Sequence, residues 1–372
     1  MTECYEFTVG IDMEQQEITK MIAFFHTGEP VSCKAEDTWT EDTDSRTIVY
    51  VEYPEGKFVI KAAANGFTTS ERVTGWVEMI ENYRKMGYYC PMLRKSRNGN
   101  FAEVLEVQGK SFVVWEEEFA KYNLPKNVKD KPRTPDGKRF VYEEELWEFV
   151  AKVGQKHFTN TWGDSLYVRL IPVQGEKTDE VTECVETFES LIREKAPKFI
   201  GRMERVLELF QENKKKLEQV YFTLPTSVFQ ADTWDDNVLL DEDGHFRGIL
   251  DYNLSGKDTM INMAFEAGWY GSRGVQWPEK EENTVSGMNR KERDAWLTGF
   301  MVALRAFRKH YDFTEEEIEA TTLLYRYILI YYDVNEAVEK HVDDEEKMNL
   351  IFDFLEDEFT REDIDFRGAM LE

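Results

Sequence analysis

Apolar residues recur along this chain with two periods, and the change of period divides it. Around residues 47–62 they alternate with polar ones. "TIVYVEY" (47–53), a turn at "PEG" (54–56) and "KFVIKA" (57–62) therefore read as paired strands. A second pair, near 101–108 and at "SFVVWEE" (111–117), is joined by the turn "QGK". Between the pairs, Val73, Trp76, Val77, Ile80 and Tyr83 fall at three- and four-residue steps, which predicts a helix over 69–86. Residues 13–26 also read as helical, and strand texture begins at residue 31. The pattern predicts a small α+β lobe of antiparallel strands ending near residue 118.

The stretch "NLPKNVKDKPRTPDG" (123–137) carries three prolines and several lysines and predicts an exposed connection. Beyond it the period is helical, over 143–157, 179–194, 199–221, 289–310, 315–341 and 344–358. Thr314 with Glu317 fits a capping box opening one of these helices. No internal repeat or low-complexity tract interrupts the pattern. The expected organisation is a strand-rich lobe over 1–118 and a helical lobe over 119–372.

Composition narrows the function classes. The 372 residues are 41% hydrophobic and 14% aromatic, enough for a sizeable core. A net charge of −27 argues against nucleic acid as a partner, because phosphate backbones bind basic faces, and would draw in cationic small molecules. The four cysteines, Cys4, Cys33, Cys90 and Cys184, lie far apart without metal-ligand spacing, so neither a zinc site nor a disulfide framework is expected. The five histidines are equally scattered. The first residues lack the basic and apolar regions of a signal peptide. The most apolar helix, "TTLLYRYILIYY", is short and holds Arg326, so it reads as buried rather than membrane-spanning. These features predict a cytoplasmic protein with no membrane partner; they leave its oligomeric state open.

The helical half contains one strong strand signal, "FQADTWDDNVLLDEDGHFRGILDYN" (229–253). "VLL" and "FRGIL" form a hairpin with Asp243-Gly244 at the tip. That loop sets Asn237 opposite Leu250, so Asn237 and Asp251 sit side by side where the hairpin opens. Asp232, five residues before Asn237, can join them. Two carboxylates and an amide oxygen make a hard-oxygen cluster suited to Mg²⁺. A carboxylate just off the metal can accept a proton from an attacking hydroxyl. These are the parts of phosphoryl transfer.

The stretch resembles the catalytic region of the aminoglycoside phosphotransferase and choline kinase-like families, small-molecule relatives of protein kinases. Their pattern is H-G-D-x-x-x-x-N, a short hairpin, then D-[WFY]-x-x-[AS]-G-x-[DG]. This chain reads Q-A-D-T-W-D-D-N at 230–237 and D-Y-N-L-S-G-K-D at 251–258. The resemblance implies a protein-kinase-like fold, with a small antiparallel-sheet lobe and a mainly helical lobe bearing the catalytic hairpin. It makes Asp232 the base and Asn237 and Asp251 the Mg²⁺ ligands, with ATP or GTP as phosphate donor. It also implies a strand lysine on the α- and β-phosphates, for which "FVIKA" offers Lys61. A helix glutamate should pair with that lysine; Glu78 fits by its spacing to Gly87 and Pro91, with Glu71 and Glu81 on the same helix. Trp115, Glu116 and Glu117 fall where the strand joining the lobes would meet adenine. The acceptor is expected to be a small, amine-bearing molecule, since the acid-rich tail (343–372) has twelve acids against three basic residues. A protein kinase is disfavoured, because no A-P-E follows Asp251 and "LSGKDTMINMAFEAG" runs straight into a helix.

Two departures stand against the pattern. Gln230 and Ala231 replace His-Gly, which alters the support of the loop. The phosphate loop, expected over 40–46 as "TEDTDSR", has no glycine and carries Glu41, Asp42 and Asp44. Backbone amides cradle phosphate best where glycine permits close approach, and carboxylates repel it. The alternative is therefore a non-catalytic, pseudokinase-like module of the same fold.

Overall fold

The computed structural model describes residues 5–7, 13–40, 44–167, 169–173, 176–269 and 284–371. The chain forms two compact units. The first comprises Met1–Lys129 with Asn160–Asp164 and Asp232–Gly256; the second comprises Asp130–Thr159, Ser165–Ala231 and Lys257–Glu372. The hairpin thus belongs to the sheet-bearing unit, although the chain reaches it from the helical one.

The first unit is built on a seven-stranded sheet of β1 (Tyr5–Phe7), β2 (Ser32–Thr40), β3 (Ser45–Tyr53), β4 (Gly56–Ala64), β5 (Leu93–Arg94), β6 (Glu103–Val107) and β7 (Lys110–Glu118). The spatial order is β1-β2-β3-β4-β7-β5, with β6 also on β7. All its pairings are antiparallel except β1 with β2. Strand alternation gives the sheet two faces. One holds Val49, Val51, Ile60, Ala62, Phe112 and Val114, and is covered by Ile18, Met21, Ile22 and Phe25 of α1 (Gln15–Phe25). The other carries Arg46, Ile48 and Tyr50 of β3, Val59, Lys61 and Ala63 of β4, and Val113, Trp115 and Glu117 of β7, by the observed register.

Helix α2 (Ser70–Lys85) covers part of this second face. Its N-cap Thr69 accepts from the Arg72 N–H, Glu71 sits in its first turn, and Arg84 and Lys85 close it, so both ends suit the helix dipole. Of the stripe expected from its spacing, Val73, Trp76, Ile80 and Tyr83 are buried and Val77 is half-buried; Trp76 packs edge-on against Trp115, with ring centroids 5.5 Å apart. The Arg72 guanidinium is buried too and donates to the carbonyls of Asp164 (3.1 Å) and Ser255 (2.5 Å).

The second unit is helical: α3 (Val141–Lys156), α4 (Glu180–Lys195), α5 (Ile200–Tyr221), α6 (Met260–Ala264), α7 (Arg290–Arg308), α8 (Glu315–Tyr327), α9 (Tyr332–His341), α10 (Glu345–Thr360) and α11 (Arg367–Leu371). Helix α5 packs on α8 and α10, α4 on α9, and α3 on α7. The helix expected over 315–341 is two. Its central residues Leu329 and Ile330 are buried, and an apolar run offers no periodic mark where one helix stops. The capping box of Thr314 and Glu317 forms as the spacing predicts. The short pair β8 (Thr226–Phe229) and β11 (Gly256–Thr259) lies outside the expected strands. Among the described residues no helix is long and apolar enough to cross a membrane.

Acids of the tail are tied down within this unit. Arg202 binds Asp353 (2.6 Å) and Glu356 (2.9 Å), and Arg361 binds Glu358 (2.7 Å) and Asp363 (2.8 Å). Composition alone suggested a cation pocket here; these acids instead staple α5, α10 and the segment after α10.

Candidate active site

The hairpin brings the chemistry-bearing residues together. In it β9 (Val238–Leu240) pairs antiparallel with β10 (Phe246–Ile249), placing Leu240 opposite Phe246, Leu239 opposite Gly248 and Val238 opposite Ile249. The tip is longer than the expected two-residue turn. It runs from Asp241 to His245, whose carbonyl accepts from the Asp241 N–H, while Asp241 Oδ1 accepts from the N–H groups of Asp243 and His245. A bulge at Arg247 then adds one residue to the return strand and restores the register. The Leu250 N–H consequently donates to the Asn237 carbonyl at 2.9 Å, the juxtaposition the sequence predicts. Gly248 is required here, because a Cβ would lie 1.6 Å from the Tyr89 carbonyl oxygen. Residues around Tyr89 flank the hairpin through Tyr89 N–H to Arg247 O (2.7 Å) and Ile249 N–H to Tyr89 O (3.1 Å).

Two left-handed residues bracket the hairpin, Ala231 at φ +73° and Asp251 at φ +61°. Such a conformation costs a residue other than glycine about 1–2 kcal/mol, and strain of this kind concentrates at functional sites. At Ala231 the resembled families carry the glycine that fits this backbone.

Asp232 is half-buried. Its carboxylate accepts from the Trp234 N–H and the Asn237 side chain, and Asn237 Nδ2 also reaches the Asp232 carbonyl at 3.2 Å. Burial, joined by the charge of Asp251, pushes the Asp232 carboxyl from 3.8 up to about 6, against the pull of those donors and of the Arg46 guanidinium. Its environment thus keeps a proton acceptor close to neutrality.

Lys61 is buried on the second sheet face, with Nζ 3.2 Å from Glu117 Oε1 and 3.5 Å from Asp251 Oδ1. Burial opposes its charge, but the Asp251 and Glu117 carboxylates hold it above the ordinary lysine range. Burial likewise raises Glu117, with Lys61 opposing. Glu117 Oε1 also accepts from Trp115 Nε1 at 2.8 Å.

The structure therefore brings together Asp232, Asn237, Asp251 and Lys61, but changes the parts given to four other residues. Glu78 is exposed on α2 and does not face Lys61, as are Glu71 and Glu81. The helix turns Trp76 inward instead, and the carboxylates on the lysine come from β7 and the hairpin. Trp115, Glu116 and Glu117 do not form an open strand end for adenine. They lie inside the ladder, opposite Lys61, Ile60 and Val59 of β4, and Glu116 and Glu117 also pair with Arg94 and Leu93 of β5. Even the next amides are engaged, Glu118 N–H by Met92 O (2.9 Å) and Phe119 N–H by Lys57 O (3.4 Å). The Glu116 side chain is on the opposite face, paired with His26 (2.5 Å) and Arg94 (2.9 Å). Of the acids in the expected phosphate loop, Glu41 and Asp42 lie outside the described residues; Asp44 is described, and binds Arg46.

The donor set fits a hard divalent cation. With Nδ2 of Asn237 engaged by Asp232, its amide oxygen is the atom suited to a metal, beside the Asp251 carboxylate. Among the described residues no three His, Cys, Asp or Glu side chains form a metal cage. Two protein oxygens suit Mg²⁺, which shares its shell with water and phosphate.

A small sheet carrying a buried lysine, a mainly helical remainder and an oxygen-rich hairpin are the features of a protein-kinase-like fold, and this chain has that fold. An amicoumacin kinase in complex with AMP-PNP and Ca²⁺ is similar to it in structure, with a TM-score of 0.52 at 12% identity over 96% of this chain and 97% of that one. A microcompartment-associated aminopropanol kinase matches with a TM-score of 0.47 at 9% identity over 96% of this chain and 99% of that one. Neither a protein-family model nor a curated protein sequence matches the chain.

Proposed function

We propose that this protein is a Mg²⁺-dependent phosphotransferase that moves the γ-phosphate of ATP or GTP to a hydroxyl of a small, amine-bearing molecule. The observation that carries this reading is the convergence of Lys61, Asp232, Asn237 and Asp251 in one unit, at the open end of the hairpin. Lys61 binds the α- and β-phosphates, held in place by Glu117, which takes the part first given to Glu78. Asp232 orients the acceptor hydroxyl and receives its proton. Asn237 and Asp251 hold Mg²⁺, whose charge offsets that of the donor phosphates. The nucleobase of the donor occupies the groove of about 360 Å³ at the far end of the sheet face, beside Tyr50, Lys34 and Phe119. The amine preference is supported by the net charge of −27 and not by the ion-paired tail.

The glycine-free, acidic segment between β2 and β3 favours a second reading, a nucleotide-independent binding module. Calorimetry with Mg·ATP and Mg·GTP decides between them. The first reading expects binding of one or both, with phosphate then transferred to members of an aminated hydroxyl panel more readily than to neutral sugars. No binding of either nucleotide at millimolar concentration overturns it in favour of the module.

A further inference from the structure

A nucleotide with its base in the groove and its α- and β-phosphates on Lys61 must carry its sugar across the sheet face between them. The strand register fixes which side chains line that crossing. Lys34 on β2, Tyr50 on β3 and Val59 on β4 form one row of the ladder, and Glu36, Ile48 and Lys61 form the next. Residues paired across an antiparallel ladder share a face, and so do residues two apart on one strand, so all six point to the same side. Tyr50 belongs to both ends of the crossing. It lines the groove, and its hydroxyl feels the charges of Lys61 and Asp251.

Glu36 is built into this crossing. The Tyr50 hydroxyl donates to its carboxylate, and Lys34 Nζ lies 3.0 Å from Glu36 Oε2. Burial, joined by the charge and hydrogen bond of Glu36, holds the Tyr50 hydroxyl above its ordinary value, so it stays a donor. Tyr50 is half-buried and anchors the pair, while the Glu36 side chain keeps 30% of its surface exposed, enough to meet a ligand. An ionised carboxylate only accepts, and its two oxygens offer about four lone-pair directions, so Tyr50 and Lys34 leave it room for further donors. Lys34 offsets its charge, which would otherwise oppose the phosphates of the same ligand.

We propose that Glu36 is a sugar-selecting residue of the nucleotide site, its carboxylate accepting hydrogen bonds from the ribose hydroxyls of the donor. The sugar brings two neighbouring O–H donors to a group that can only accept, the chemistry by which an acidic residue reads the ribose 2′-hydroxyl in dinucleotide-binding folds. Tyr50 and Lys34 are its positioning residues. The selection acts on the sugar and is blind to the base, so it holds whether the donor is ATP or GTP.

The inference rests on the nucleotide-binding reading, and titration calorimetry separates the two. Mg·ATP and Mg·2′,3′-dideoxy-ATP (or the guanosine pair, if the wild type selects it) are titrated into wild type, Glu36→Ala and Glu36→Gln. The wild type is expected to bind the ribonucleotide about ten- to hundredfold more tightly than the dideoxynucleotide. Glu36→Ala should abolish that preference by weakening the ribonucleotide alone, and Glu36→Gln, which keeps one acceptor oxygen, should recover part of it. A wild type that binds both nucleotides equally overturns the inference and leaves the phosphotransferase reading standing. A preference that survives in Glu36→Ala overturns it too, as do equal losses for both nucleotides, which report damage to the whole face. No Mg·nucleotide binding by the wild type removes both readings together.

Discussion

The ammonium of Lys61 on β4 is held by the carboxylate of Glu117 on β7, 3.2 Å away, across two directly hydrogen-bonded strands. Glu117→Gln removes the charge and keeps the shape. It should raise the nucleotide KM about tenfold with a smaller change in kcat, while Glu78→Ala changes neither. Steady-state kinetics on both variants checks this, and a loss confined to Glu78→Ala would restore the lysine–helix pairing.

Asp232→Asn should lower turnover about 10²–10⁴-fold and leave Mg·nucleotide affinity nearly intact, because the base is not a phosphate ligand. The same variant carries a stability signature in the ligand-free protein. The Asp232 carboxyl is raised from 3.8 to about 6 on folding, so the folded state favours its protonated form. That stabilisation is fully present below pH 3.8 and is lost as pH rises through 6. Asparagine cannot ionise. Asp232→Asn should therefore match the wild type in stability near pH 4, exceed it increasingly as pH rises to about 6, and keep that margin of about 1–3 kcal/mol up to pH 8. A constant offset across that range would show that Asp232 does not ionise at a raised value.

Ala231→Gly tests the strain at φ +73°. Relief of about 1–2 kcal/mol is partly cancelled by the greater chain entropy of glycine, about 0.5–1 kcal/mol. A rise in melting temperature of about 1–2 °C with unchanged turnover is expected. A fall would mean that the alanine methyl packs better than its backbone suffers.

Gly248→Ala places a methyl carbon 1.6 Å from the Tyr89 carbonyl oxygen, which is backbone and cannot swing aside. The hairpin must separate from the Tyr89 segment, at a cost of about 3 kcal/mol or more. Chemical denaturation reads the loss directly, and a near-neutral variant would contradict the close pairing.

Much of this arrangement is legible in the sequence where one physical rule dominates. Helix spans follow from period and caps where both are marked, as in α2, and the start of α8 follows from its capping box although its end does not. The Asn237–Leu250 juxtaposition is legible for a subtler reason: the turn is longer than Asp243-Gly244 suggests, and the bulge at Arg247 compensates, so the arithmetic reaches the right pair through two cancelling departures. The partner of Lys61 is not legible. Glu78 and Glu117 are both plausible by spacing, and only the rotation of α2, fixed by Trp76 burying itself against Trp115, decides between them. Glu116 and Glu117 read as a charged strand end because side-chain type is visible and strand neighbours are not; β5, two residues long, is too short to announce itself.

The Lys61–Glu117 pair has one more consequence. Where a phosphate-binding lysine depends on a helix for its orientation, swinging that helix switches the enzyme off. Here both partners are threaded through neighbouring strands of a single sheet, and α2 meets them through Trp76 on Trp115, whose indole N–H donates to Glu117. On the proposed function, a shift of α2 would act on the lysine through that indole and Glu117 rather than through a carboxylate of its own.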